Sequence, residues 1–89
     1  MVRLFVRHQV VDYPAWRKAY DDFDGARQGL GVAGHAVYQS VGDPNDVTIS
    51  HDFSTREAAE SFVSSPQLRD TMEQAGVRPT PEIWFVTEA

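Results

Sequence analysis

Three histidines are the side chains of this sequence best suited to proton-transfer chemistry: His8, His35 and His51. Imidazole changes charge near neutral pH, so it can accept a proton from a substrate under ordinary conditions. All three lie in segments that have the pattern of strands, whose side chains project to one face or the other. We interpret His51 and His35 as candidate catalytic bases that act on a phenol or an α-carbon in an apolar pocket.

Two other roles for the histidines stay open. Neutral imidazoles bind zinc, iron, copper or nickel, and His8, His35 and His51 together would make a three-ligand site. Their separations of 27 and 16 residues match no metal motif. The histidines could also be structural, with hydrogen bonds to neighbours near the strand ends.

We expect no cofactor. The chain has no cysteine, which excludes thiolate metal sites. The letters G-x-G-x-x-G occur at residues 29–34, but they follow a predicted helix and open a predicted strand. A dinucleotide fingerprint has the opposite context, because it follows a strand and opens a helix.

Aromatic side chains could form the wall of a ligand pocket. Trp16, Tyr20 and Phe23 recur at i, i+4 and i+7, which is the apolar stripe of an amphipathic helix. This stripe favours a core role, although in a pocket between helix and sheet the rings of Trp16 and Tyr20 would stack on an aromatic ligand. Tyr38 could pack, or could hydrogen-bond a polyphenol.

The elements that must position these residues follow from hydrophobic periodicity and caps. Strands are predicted at 2–10, 32–41, 46–53 and 83–86. Asp12 predicts the start of a helix that ends near Gly29 or Gly31. Ser54, with Glu57 three residues on, predicts the start of a second helix. A further short helix is predicted around Leu68 and Met72, closed by Gly76, and an extended linker at Pro79–Pro81.

A turn at residues 42–45 joins the second and third strands as a hairpin. If the numbers of the two residues in each cross-strand pair of the hairpin sum to 86, His35 lies opposite His51. If they sum to 87, His35 points to the other face of the sheet. The pairing of Val37 with Ile49 favours 86.

The order strand, helix, strand, strand, helix, strand predicts one α+β domain over residues 1–89, with the ferredoxin-like βαββαβ fold. The sheet order is fourth, first, third, second strand, with helices on one face. We expect the first and third strands to run parallel, which would place His8 and His51 near the same end. Alternate side chains of a strand project to the same face of the sheet. The set that we expect to face the helices and form the core is Leu4, Val6, His8, Val47, Ile49, His51, Phe53, Ile83 and Phe85.

The opposite face of the sheet carries Phe5 and Trp84, which are poorly suited to water. A small domain gains much from burying such a face, so we expect a homodimer with the two sheets face to face. An ion pair between Arg7 and Asp52 is expected in that interface. Arg7 could instead hold a substrate carboxylate.

The segments Asp12–Trp16, Asp43–Val47 and His51–Ser54 resemble those of small dimeric α/β-barrel proteins, and the nearest group is the antibiotic biosynthesis monooxygenase family. The resemblance covers nearly the whole chain. It implies a ferredoxin-like domain that pairs as a dimeric α/β barrel. Members of this group include cofactor-independent oxygenases of aromatic polyketides, cyclases, isomerases and haem-degrading enzymes. No family catalytic residue can be assigned to a position here by motif.

The resemblance and the histidines together suggest a small cofactor-independent enzyme that acts on an aromatic or polyketide-like molecule. Oxygenation or cyclisation would begin with proton removal by His51 or His35. The alternatives are a non-catalytic ligand-binding or stress-associated dimer, and a metal-dependent enzyme that uses the three histidines.

Composition limits the partners. Thirteen acidic and eight basic residues give a net charge of −5, which argues against nucleic acid. No apolar run is long enough to span a membrane. The amino terminus lacks the pattern of a signal peptide, so we expect a cytoplasmic protein.

Overall fold

The computed structural model describes residues 1–66, Asp70 and residues 81–89. The helix predicted around Leu68 and Met72, and the linker at Pro79, therefore fall outside the described residues. The elements in chain order are β1 (Val2–Gln9), α1 (Tyr13–Asp22), α2 (Asp24–Gly29), β2 (Gly34–Ser40), β3 (Asp43–Phe53), α3 (Arg56–Val63) and β4 (Glu82–Thr87). The strands form one sheet in the order β2-β3-β1-β4, which confirms the α+β, ferredoxin-like arrangement.

The direction predicted for the first and third strands was wrong, because β1 and β3 are antiparallel. The helical crossover returns the chain so that β2 runs parallel to β1, and the hairpin turn then reverses it into β3. Leu4 pairs with His51, and His8 pairs with Val47. At about 3.4 Å per residue, four positions separate the rows of His8 and His51 by roughly 14 Å.

The hairpin has the register in which paired numbers sum to 86. His35 lies opposite His51, and Val37 lies opposite Ile49, as the sequence favoured. The turn is shorter than expected, since β3 already begins at Asp43. A register shift next to Ser40 absorbs the difference.

The first predicted helix is two helices. Asp12 caps α1 as expected, and its carboxylate accepts a hydrogen bond from the Ala15 N–H at 3.2 Å. The carbonyl oxygen of Tyr20 accepts hydrogen bonds from the Phe23 N–H and from the side chain of Arg27. Helix α1 ends at Asp22. Thr55, not Ser54, caps α3, because the chain enters the helix one residue later than predicted.

Two apolar clusters fill the space between the sheet and the helices. One joins Leu4 and Val6 to Phe53 and α3, and the other joins Val47 and Ile49 to α1. The core parity predicted for β1 and β3 is confirmed. On β4 the parity also holds, because Ile83 pairs with Val6 and Phe85 pairs with Leu4, but these side chains are not buried: Ile83 is 44% exposed and Phe85 39% exposed. The reason is position: β4 is an edge strand, and α3 packs on β1 and β3.

The opposite face of the sheet carries a stacked aromatic pair between two ion pairs. Phe5 and Trp84 stack with ring centroids 5.4 Å apart. The predicted Arg7–Asp52 ion pair is wrong, because the antiparallel register sets Arg3 beside Asp52, at 2.7 Å. Arg7 binds Asp46 instead, through two hydrogen bonds of 3.0 and 2.7 Å.

Candidate functional site

A buried hydrogen bond joins α1 to the middle of β3. The hydroxyl oxygen of Tyr20 lies 3.0 Å from Nε2 of His51, and both side chains are buried. Tyr20 reaches the sheet because the apolar stripe of α1 faces it, and His51 points to the same layer because it shares the parity of Ile49 and Phe53. The two rings are nearly parallel, with centroids 6.1 Å apart.

His51 is neutral at physiological pH. Burial lowers the pKa of His51 to about 4, and the nearby charges of Arg27 and His35 act in the same direction. Its Nδ1 is buried and has no hydrogen-bond partner among the described residues. A neutral imidazole has one N–H and one lone pair, so one of the two is left unsatisfied at Nδ1.

Tyr20 stays protonated. Burial raises the pKa of Tyr20 to about 12, so its hydroxyl can donate to Nε2 of His51. Trp16 stacks on the same ring, with centroids 4.9 Å apart. The core role predicted for Trp16 and Tyr20 is thereby confirmed, because both are less than 10% exposed.

Arg27 completes this cluster, and the sequence reasoning missed it. Its side chain is 2% exposed, and Cζ lies 3.7 Å from the centroid of the Tyr20 ring. Nη1 donates to the carbonyl oxygen of Tyr20, and Nη2 donates to Asp24 at 3.1 Å. The signal was present, because residue 27 continues the i, i+4, i+7 stripe of Trp16 by one more turn. Its charge made it look like a surface residue.

His35 connects the buried cluster to a groove on the surface. The ring of His35 meets Tyr20 edge-on, with centroids 5.9 Å apart, and its strand position is opposite His51. The groove has a volume of about 500 Å³. It is lined by Asp24, Arg27, Gln28, Val32, Ala33, Gly34 and His35. His35 is exposed, so it can meet a molecule in this groove.

The other site residues predicted from sequence lie elsewhere. His8 is buried against Trp16, with the two rings in a T-shaped arrangement. On β1 it lies four positions from Leu4, which is the residue that pairs with His51. Burial lowers the pKa of His8. Tyr38 and Arg7 each pair with Thr48 of β3. Residues that pair across neighbouring strands project to the same face, so both side chains lie on the sheet face opposite the groove.

The three-histidine metal site is not assembled, because the antiparallel register separates His8 from the other two. Over residues 1–66, Asp70 and 81–89, no group of three histidine or carboxylate side chains could hold a metal ion together. In the same part of the chain, no helix is both long and apolar enough to cross a membrane.

Comparison with known proteins identifies the fold. No family model matches the sequence, and no curated protein matches it significantly. A Bordetella bronchiseptica protein provisionally described as an antibiotic biosynthesis monooxygenase is similar over 99% of this chain and 96% of its own, with a TM-score of 0.84 and 13% identity. SnoaB of Streptomyces nogalater, described as a cofactor-independent oxygenase, is similar over 99% and 92%, with a TM-score of 0.80 and 13% identity.

A third structure, described as an antibiotic biosynthesis monooxygenase, is similar over 100% of this chain and 99% of its own, with a TM-score of 0.79 and 11% identity. At such identities the likeness establishes the fold. This chain therefore has the ferredoxin-like fold of the antibiotic biosynthesis monooxygenase structures, as its sequence segments suggested.

Proposed function

We propose that the protein is a small cofactor-independent enzyme that acts on an aromatic or polyketide-like substrate, with His35 as the general base. The observation that carries this proposal is the position of His35, which lines the groove and also contacts Tyr20 of the buried cluster. A base must come within hydrogen-bond reach of the proton it removes. An exposed imidazole at a groove satisfies that condition.

Of the two candidate bases, His35 is favoured over His51. Nε2 of His51 already binds the Tyr20 hydroxyl, and its Nδ1 is buried. A pKa of about 4 also makes His51 a weak base at neutral pH. His51 and Tyr20 instead act as positioning residues, because they form the wall against which His35 is held.

The reaction needs no resident cofactor. Proton transfer to His35 would leave an electron-rich phenolate or carbanion, which can react directly with molecular oxygen. When a ring CH₂ is oxidised to a carbonyl, one atom of O₂ enters the product and the other leaves as water, so O₂ is the only oxidant. A cyclisation would begin with the same proton transfer and needs no oxidant. One protein of this fold is described as a cofactor-independent oxygenase, which supports the proposal.

The partner in this proposal is a second copy of the chain. Phe5 and Trp84 stack on the sheet face that the described helices leave open, and Trp84 is 38% exposed. Val86 on the same face is 39% exposed. A sheet-to-sheet homodimer would remove these side chains from water.

The test is oxygen consumption by the purified protein with a dihydroxyanthrone as substrate, after treatment with a chelator. The proposal predicts turnover that the chelator does not reduce. The second candidate, a non-catalytic ligand-binding dimer, is favoured by the two buried neutral histidines, His8 and His51, whose environment suits a structural role. It predicts binding of the anthrone without oxygen consumption above the protein-free rate.

A further inference from the structure

Arg27 is a buried cation whose hydrogen-bonding capacity is not fully used. A guanidinium has five N–H donors in a planar fork. Hydrogen bonds from Nη1 to the Tyr20 carbonyl and from Nη2 to Asp24 are formed. Nε is buried without a partner among the described residues. Because a buried charge without full pairing is destabilising, this guanidinium is suited to one more acceptor.

Asp24 is the carboxylate that now neutralises Arg27, and it is loosely held. The Asp24 side chain is 44% exposed, whereas that of Arg27 is 2% exposed. Asp24 also accepts a hydrogen bond from Gln28 at 3.2 Å, on the solvent side of α2. Loss of Asp24 alone would leave a buried charge unpaired, so Asp24 can turn into water only as another acceptor replaces it. A carboxylate from outside could then take its place on the guanidinium.

The groove suits a small, flat molecule with one negative charge. Arg27 and His35 line it together with the small residues Ala33 and Gly34. The planar guanidinium matches a planar carboxylate. A phosphate dianion fits less well, because Asp24 adds negative charge at the groove.

We propose that the groove binds the carboxylate of a small aromatic acid on Arg27, in exchange for Asp24, with the ring directed toward His35. The inference rests on the proposed function, since it names the substrate class of the same site: a phenolic substrate that also carries a carboxylate. Asp24 is then the internal competitor of the ligand, and the two carboxylates exclude each other on Arg27.

The experiment is calorimetric titration of the full chain with salicylate, with inorganic phosphate as the competing anion. Asp24→Asn removes the internal competitor, so affinity should rise about threefold or more. Arg27→Met removes the cation, so affinity should fall about tenfold or more. The matched control is Asp22→Asn, which makes the same charge change in the exposed Lys18–Asp22 ion pair and should alter affinity less than twofold.

A second readout is the NMR signal of the Arg27 Nε–H group, which should shift with salicylate at concentrations that match the calorimetric curve. Asp24→Asn keeps Arg27 and so tests the proposal even if Arg27→Met does not fold. The proposal would be overturned if the natural protein did not bind salicylate, or if Asp24→Asn and Asp22→Asn bound it with equal affinity. It would also be overturned if phosphate displaced the ligand more strongly than salicylate does, or if a folded Arg27→Met protein bound salicylate unchanged. Salicylate binding needs no turnover, so these results are independent of whether the enzyme proposal holds.

Discussion

The guanidinium of Arg27 lies over the ring of Tyr20, with Cζ 3.7 Å from the ring centroid, and the hydroxyl of that ring binds His51. A permanent charge is thus separated from a buried imidazole by one aromatic ring. The charge opposes protonation of His51, and burial opposes it more strongly. The site is therefore built around a histidine that stays neutral and a second histidine, His35, that faces the groove.

Replacement of Tyr20 by Phe tests the buried hydrogen bond. The change keeps the ring that Arg27 and Trp16 contact, but it leaves Nε2 of His51 without its partner. The free energy of unfolding should fall by about 1–2 kcal/mol, measured by urea denaturation. Tyr38→Phe is the matched control, because it removes the same hydroxyl group from the other face of the sheet, away from the buried cluster, and it should change stability by less than about 0.5 kcal/mol. Equal effects of the two variants would show that the Tyr20–His51 bond does not contribute.

The neutral state of His51 predicts acid sensitivity. Its pKa is about 4 in the folded protein and about 6.5 in the unfolded chain, so the unfolded state binds more protons between these values. The stabilisation from this histidine is complete above pH 6.5 and is lost progressively as the pH falls toward 4. The loss approaches roughly 3 kcal/mol at the acid end.

Urea denaturation of the natural protein and of His51→Gln at several pH values between 7 and 4 measures this dependence. Gln does not titrate, so the variant should lose less stability over the same range than the natural protein does. Burial also lowers the pKa of His8, so part of the dependence of stability on pH remains in both proteins. Parallel pH profiles would contradict the assignment of a neutral His51.

The open face of the sheet predicts a dimer that a single charge can disrupt. Trp84→Glu sets a carboxylate beside Phe5 in the proposed interface, so the protein should sediment as a folded monomer of about 10 kDa. Val41→Glu is the control, because Val41 is fully exposed on the β2–β3 turn, and this variant should keep twice the chain mass. A natural protein that sediments as a monomer would refute the predicted interface.

The sequence was most informative where local pairing decides the structure. The alternation of Val47, Ile49 and His51 fixed the core face of β3, and the hairpin register followed from Val37 opposite Ile49. The direction of β1 relative to β3 depends on the crossover, which leaves β2 parallel to β1, and on the hairpin, which reverses the chain into β3; the prediction of parallel strands did not include that reversal. That error moved His8 into a cluster it does not join, and it assigned Asp52 to Arg7 instead of Arg3.

Arg27 shows why the site could be predicted only in part. Its position on the apolar stripe of the first predicted helix was visible in the sequence, but its burial depends on the break between α1 and α2 and on the Tyr20 carbonyl that accepts its hydrogen bond. Such tertiary pairing of a charge has no local sequence signal. Likewise, the exposure of His35 and the burial of His51 depend on which strand lies at the sheet edge.

The central claim is that His35 is the base, and its most direct test is the rate of oxygen consumption with a dihydroxyanthrone by the natural protein, His35→Gln and Tyr38→Phe. Tyr38 is on the same strand but on the other face, so Tyr38→Phe controls for changes to β2. The account predicts a loss of about 100-fold or more for His35→Gln, the usual contribution of general base catalysis, and little change for Tyr38→Phe. Full activity in a folded His35→Gln protein would contradict it.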